Sequence, residues 1–157
     1  MREQRGFTLI ELITVMIIAG IIALYAAPRL TSKIFNVRAA AGELAEAIKY
    51  AQEMSMVHSG DTHYRIELQA NSYRLTQGGA DIPDPLTQTT PFSGSWSDIS
   101  LNQIGTITFD SRGRPTCSGG LAACSTPADT DLNIVLSAGS DSVTVTLARL
   151  TGYAYVQ

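Results

Sequence analysis

The first fifth of the chain is almost uniformly apolar. Of the 21 residues from 7 to 27, 17 are apolar, and Glu11 is the only charged residue among them. A helix needs about 20 mostly apolar residues to cross the hydrocarbon core of a membrane, and the sequence contains no second stretch of this kind. The pattern predicts a single membrane-spanning helix at residues 7–28.

A second pattern begins after Pro28, where apolar positions recur at steps of three and four residues. This spacing predicts an amphipathic helix that continues to about Val57. A helix from Thr8 to Val57 would be about 75 Å long, far more than a small domain can cover. Its first half is therefore expected to protrude, and its second half, from Ala41 to Val57, to pack on a sheet. The apolar positions are Leu30, Ile34, Val37, Ala41, Leu44, Ile48 and Ala51.

The remainder of the chain alternates between apolar and polar positions in short runs, which is typical of strands. Ala138 to Asp141 are expected to form a hairpin turn, and the Gly-, Pro-, Thr- and Ser-rich segment from Gln77 to Ser97 a long loop. Together with the long helix, these runs predict an α+β protein in which the helix packs on a small antiparallel β-sheet head. The predicted strands are residues 62–68, 72–76, 106–110, 132–137, 142–148 and 153–156.

Composition argues against catalysis and against ordinary nucleic-acid binding. The 157 residues carry a net charge of −3. The part from Asp61 onward contains five basic and nine acidic residues, whereas a protein that binds nucleic acid needs a basic surface. There are two histidines, and no catalytic triad or phosphate-loop pattern is present. The run Asp129, Asp131, Asn133 lacks the glycine and distal glutamate of a calcium loop. We therefore predict no catalytic residue, no metal site and no cofactor.

Three interpretations of the N-terminus compete: a cleaved secretory signal, a plain membrane anchor, and a segment that is cut on the cytoplasmic side and then kept. The apolar run is too long for a secretory signal, and no small-x-small cleavage site follows it. A carboxylate such as Glu11 in a spanning helix costs about 2.5 to 3.5 kcal/mol near the bilayer centre, less near an end, and usually has a partner. The alternative is a Glu11 that is protonated or exposed near the headgroups.

The residues GFTLIELI, Gly6 to Ile13, follow a short charged leader and precede a long apolar run. This segment resembles the type IV prepilin and pseudopilin family. The resemblance implies that a prepilin peptidase cuts between Gly6 and Phe7 and methylates the new amine of Phe7, and that Pro28 kinks the stem. Glu11 lies four residues after Phe7, one helical turn away, and is expected to neutralise the amine of a neighbouring subunit.

On this basis the chain divides into a leader (1–6), a membrane and assembly helix (7–28), the periplasmic half of the stem helix (29–59) and a β-rich head (60–157). Removal of the leader changes the side-chain charge from −3 to −4 because two basic residues and one acidic residue are lost. The precursor is expected in the inner membrane, in contact with lipid and with its head in the periplasm. After assembly it is expected in a pilus or pseudopilus.

Two segments of the head narrow the resemblance. Ile107 to Pro115, ITFDSRGRP, and the closing alternating strands are similar to minor pseudopilin heads of the GspH and FimT type, and Ala26 to Arg29 is similar to minor pilins of the mannose-sensitive haemagglutinin pilus. The resemblance implies a non-enzymatic minor pilin of a type IV pilus, which incorporates into the filament or initiates it. Its expected partners are the peptidase, other major and minor pilins, and an inner-membrane assembly platform.

Two alternatives remain open. One is a minor pseudopilin of a type II secretion system, and the other is a minor pilin that captures DNA for uptake. Only Arg112, Arg114 and Arg149 are available to form a basic patch for the second role, which argues against nucleic acid.

Cys117 and Cys124 flank the sequence SGGLAA. If the head faces the periplasm or the exterior, a disulfide between them is the expected state. It would close a short loop and contribute about 2 to 3 kcal/mol.

Overall fold

A computed structural model describes residues 8–26, 33–58, 63–121 and 130–157. The chain forms two compact units, Met1–Ser32 and Lys33–Gln157. The first unit contains helix α1, Leu9–Ala26, and the second contains helix α2, Lys33–Val57, and every strand that is described. Residues 27–32 lie outside the described parts, and with them Leu30 and the predicted kink at Pro28.

Helix α1 begins with a hydrogen-bonded cap. The side-chain oxygen of Thr8 accepts a hydrogen bond from the main-chain N–H of Glu11 at 3.3 Å, and the Thr8 carbonyl accepts one from the N–H of Leu12 at 3.2 Å. Thr8 and Glu11 have the Thr-x-x-Glu spacing of a capping box, a strong signal for the start of a helix.

Helix α2 carries the predicted apolar stripe on its buried side. Alanines, which favour helix, fill much of its length, and its buried apolar residues are at most 3% exposed. Burial runs from Val37 to Ser55, whereas Met56 and Val57 are exposed. The buried segment of α2 is therefore shifted toward the N-terminus by about one turn relative to the predicted packing segment from Ala41 to Val57.

The described strands form two antiparallel sheets instead of the single small sheet that was expected. The first sheet has the order β3-β2-β1-β6-β7, with β4 also paired to β2, and the second has the order β10-β9-β8-β5. The strands are β1 Tyr64–Gln69, β2 Ser72–Gln77, β3 Ala80–Asp81, β4 Ser93–Ser95, β5 Ser100–Leu101, β6 Gly105–Phe109, β7 Pro115–Ser118, β8 Leu132–Ala138, β9 Asp141–Leu147 and β10 Ala154–Val156.

The six predicted strands correspond to β1, β2, β6, β8, β9 and β10. The α+β class is confirmed, and so is the hairpin at Ala138 to Asp141, where Gly139 adopts the left-handed φ of 67° that such a turn requires. The predicted loop at 77–97 is wrong in part because it contains β3 and β4. These strands have two and three residues, too few to show an alternating pattern.

A single apolar core joins α2 to both sheets. Helix α2 contacts β1, β2 and β6 of the first sheet and β8, β9 and β10 of the second. Its Leu44 and Ile48 are fully buried, as are Ile66 and Phe109 of the first sheet and Ile134 of the second. The helix thus fills the space that the two sheets leave between them, and its polar side is left at the surface.

Candidate functional site

The apolar surface of α1 is uncovered on every side. Its large apolar side chains retain between 44% and 78% of their accessible surface. A helix that is hydrophobic all round is normally buried, in a core or a membrane. Within the described residues this apolar surface is exposed. The exposed residues are Leu9, Ile10, Leu12, Ile13, Val15, Met16, Ile17, Ile18, Ile21, Ile22 and Leu24.

The sequence predicts a membrane-spanning helix at residues 7–28. No helix within the described residues is both long enough and apolar enough to cross a membrane.

Glu11 lies in the first turn of α1, as the third residue of the helix. The N-terminus of a helix carries a partial positive charge from its unpaired N–H groups, so a carboxylate there is stabilised. Gly6 and Phe7, the predicted cleavage and methylation residues, lie outside the described residues. The cap at Thr8, which the sequence analysis overlooked, fixes the helix start one residue after Phe7 and places Glu11 one turn from that start. The Thr-x-x-Glu spacing of Thr8 and Glu11 is the sequence signal that predicts this cap.

Two of the predicted basic residues, Arg112 and Arg114, lie in the turn between β6 and β7, close to the carboxylate of Asp110. Asp110 accepts main-chain hydrogen bonds from Arg112 and Arg114 at 2.9 and 2.8 Å, and it forms an ion pair with the Arg114 guanidinium at 2.8 Å. Burial opposes ionisation, but these hydrogen bonds outweigh it and hold the pKa of Asp110 below its usual range. Arg114 and Arg149 line one shallow cavity together with Asp110. Asp110 thus offsets the charge of Arg114 within the β6–β7 turn.

The other chemical candidates are Asp131, Asn133 and Cys117 within the described residues, and Asp129 and Cys124 outside them. Asp131 accepts the main-chain N–H of Arg149 at 3.1 Å, and Asn133 accepts the hydroxyl of Thr146 at 2.9 Å, while Asp129 lies outside the described residues. In the described parts of the chain no three His, Cys, Asp or Glu side chains converge as metal ligands. Cys117 is half-buried on β7, and Cys124 lies outside the described residues, so their disulfide stays a prediction.

One feature of the head was not expected from the sequence. The amide of Gln52 on α2 donates hydrogen bonds to the carbonyls of Gly113, at 2.9 Å, and Thr151. It thereby ties the β6–β7 turn to the β9–β10 turn, and thus one sheet to the other. Gln52 is separated from these partners by 61 and 99 residues, so no local pattern could have revealed it.

An apolar N-terminal helix with a glutamate in its first turn, followed by a helix packed on antiparallel sheets, defines a pilin-like α+β protein. Comparison with known families agrees. Residues 1–27 match the family described as the prokaryotic N-terminal methylation motif, and residues 44–151 match the family described as type II transport protein GspH. The chain belongs to the GspH family and is a type IV pilin or pseudopilin of the GspH and FimT kind.

Searches of the curated proteins and of the solved structures found no significant match. The members of the two matched families are structural subunits and not enzymes, whereas the particular filament, including the mannose-sensitive haemagglutinin pilus, is not singled out.

Proposed function

We propose that this chain is a minor pilin of a type IV pilus. A prepilin peptidase removes residues 1–6 and methylates the amine of Phe7. The processed chain is held in the inner membrane with its head in the periplasm, and it then enters or initiates the filament. The observation that carries the proposal is the apolar surface of α1, which is exposed on every side and needs partners from outside the chain.

Glu11 would set the position of the subunit along the filament. Cleavage before Phe7 creates a positive amine at the start of an apolar helix. A charge transferred into an apolar environment costs several kcal/mol unless it is paired, and a carboxylate one turn from the helix start supplies the opposite charge. Pairing between the amine of one subunit and Glu11 of its neighbour would therefore favour one axial register over others. In this proposal the interaction is a requirement for assembly and not for folding of the head.

The test is incorporation of Glu11→Ala into filaments. We expect the variant to be inserted and cleaved, with N-methyl-Phe7 at its mature terminus by mass spectrometry, but to be missing from sheared filaments. Glu67→Ala removes the same charge from the head and should be incorporated normally. Normal incorporation of Glu11→Ala would contradict the proposed role of Glu11. An intact Met1, or a cut near Ala27, would contradict the proposed processing.

A second candidate, a minor pseudopilin of a type II secretion system, is favoured by the description of the family that matches residues 44–151. The two candidate functions predict different phenotypes when the gene is deleted. Deletion should abolish or shorten surface pili if the chain is a minor pilin, and it should retain secreted enzymes in the periplasm if the chain is a pseudopilin. Assays of both phenotypes on the same deletion strain separate them.

A further inference from the structure

Helix α2 and the segment that leads from β2 to β5 leave two adjoining cavities on the surface of the head, of about 480 and 490 Å³. The first lies beside Asn36 and Trp96, and the second beside Tyr50 and Phe92. Glu43 lines both. We call the two cavities together the α2 groove. Cavities of this size, with apolar and aromatic walls and a few polar groups, are typical of binding sites.

Aromatic rings line the groove and are held in fixed positions. Tyr50 and Phe92 pack edge to face with their centroids 5.4 Å apart, and the rings of Tyr73 and Trp96 lie 5.7 Å apart. The Tyr73 hydroxyl donates to one oxygen of Glu43 at 2.9 Å, and the indole N–H of Trp96 donates to the other at 3.3 Å. Burial, reinforced by the bond to Glu43, raises the pKa of Tyr73, so this hydroxyl keeps its proton and continues to donate.

Gly94 on β4 allows this arrangement. A Cβ atom at this position would overlap Oε1 of Glu43 and the ring of Tyr73. The absence of a side chain at Gly94 therefore lets the carboxylate reach the two aromatic donors. Glu43 is held as a fixed negative group at the point where the two cavities meet.

The charge of the groove is strongly one-sided. Among the described residues that line it, five are acidic, Glu43, Glu46, Glu53, Asp84 and Asp98, and one is basic, Lys49. Lys49 already forms an ion pair with Glu46 at 2.8 Å. Carboxylates beside partly buried aromatic rings such as Tyr50, Phe92 and Trp96 attract lysine and arginine, because the ring face and the carboxylate both favour a cation, and the apolar wall accommodates the methylene stem.

We propose that the α2 groove binds a lysine- or arginine-bearing segment of a different protein chain. A second copy of this chain is a poor occupant, because the unit from Lys33 to Gln157 carries eight basic and twelve acidic residues, a net charge of −4 that repels its like. Leu86 at the rim is 91% exposed, so it can contact an apolar residue next to the bound lysine or arginine. The proposal concerns the head alone and holds whether the chain serves a pilus or a secretion system.

Trp96 provides a local reporter because it is the only tryptophan in the chain. The full chain in a neutral maltoside detergent is titrated with a peptide of six lysines, and the emission of Trp96 is recorded. We expect a saturable change that weakens as salt rises from 50 to 500 mM, and no change with the same peptide after acetylation of every lysine.

Matched variants separate the groove from the overall negative charge. Glu53→Gln with Asp98→Asn removes two charges from opposite ends of the groove and should raise the dissociation constant about fivefold. Glu67→Gln with Asp131→Asn removes two charges from elsewhere on the head and should leave it within about twofold of the unaltered chain.

Three results of these titrations would overturn the proposal. They are equal weakening by both double variants, equal binding of the acetylated peptide, and binding of the lysine peptide without any change in Trp96 emission. Self-association in the absence of peptide, abolished by the groove variant and not by its control, would assign the groove to a second copy and would also overturn it.

Discussion

Helices α1 and α2 differ in how far their apolar side chains are buried. Both are rich in apolar residues, but those of α1 point in every direction and remain exposed, whereas α2 carries one apolar stripe that the two sheets bury and exposes Phe35, Met56 and Val57. Burial of apolar surface is the main favourable term in folding, at about 25 cal/mol per Å². The chain itself provides that burial for α2. The described residues leave the apolar surface of α1 exposed, and the function we propose places this surface against lipid and neighbouring helices.

The largest effect we expect is the contrast between one isoleucine in each helix. Ile48 of α2 is fully buried, and Ile48→Ala should lower the free energy of unfolding by about 2 to 5 kcal/mol through lost contacts and a residual cavity. Ile17 of α1 is 59% exposed, and Ile17→Ala should change it by less than about 0.5 kcal/mol. Urea unfolding of the full chain in detergent, followed by Trp96 emission, measures both. Equal losses would remove the contrast between the helices.

The disulfide proposed between Cys117 and Cys124 should stabilise the head and leave α1 unaffected. We expect a reductant to lower the free energy of unfolding by about 2 to 3 kcal/mol, because an open loop gains conformational freedom in the unfolded chain. The variant Cys117→Ser should be less stable by a similar amount and should not respond further to the reductant. Peptide mapping without reduction checks the bond directly. Two free thiols in protein from the periplasm would refute it.

Substitution of Gly152 measures how much the contact between the β6–β7 and β9–β10 turns contributes to stability. Gly152 has a left-handed φ of 71°, and a Cβ there would overlap the carbonyl of Gly113 and approach the amide of Gln52. Gly152→Ala should therefore cost about 2 to 3 kcal/mol, since steric overlap adds to the backbone strain.

Gly139→Ala is the matched control for this substitution. Gly139 has a similar φ of 67°, but a Cβ there would meet open space. This variant should cost only about 1 to 2 kcal/mol. If thermal or urea unfolding gave the same loss for both variants, the contact between the β6–β7 and β9–β10 turns would contribute nothing measurable.

The smallest effect we expect comes from Asp110 in the β6–β7 turn. Its pKa is lowered on folding, so its contribution to stability is present above its unfolded pKa of about 3.9 and is lost as the pH falls through the folded pKa. Asp110→Asn should cost about 0.5 to 1 kcal/mol at pH 7, and this difference should shrink below about pH 4. Glu67→Gln is the control for loss of one charge from the same sheet. A difference for Asp110→Asn that stayed constant down to pH 2 would exclude its ionised form as the cause.

Much of the fold was predictable because it is encoded locally. The stripe on α2 follows from a period close to 3.6, and the alternation in β8 and β9 from a period of two, so both could be found from neighbouring positions. Of the five shortest strands, β3, β4, β5, β7 and β10, only β10 was predicted, because runs of two to four residues show little periodicity. Their main-chain hydrogen bonds depend on which strand happens to lie beside them.

The candidate site divides in the same way. Glu11 was found from a motif of eight consecutive residues, and the structure places it in the first turn of α1. The contacts of Glu43 with Tyr73 and Trp96 join residues that are 30 and 53 positions apart, and no pattern in the sequence marks them as neighbours.

The sequence by itself therefore determined the two helices, six of the ten described strands, the α+β class and the N-terminal motif, because each depends on periodicity or on adjacent residues. Only the tertiary structure decided the division into two sheets, the hydrogen bonds of Gln52 to the β6–β7 and β9–β10 turns, and the α2 groove. Those features arise where distant segments meet around one core, and which segments meet is fixed by packing of the whole chain and not by any local run of residues.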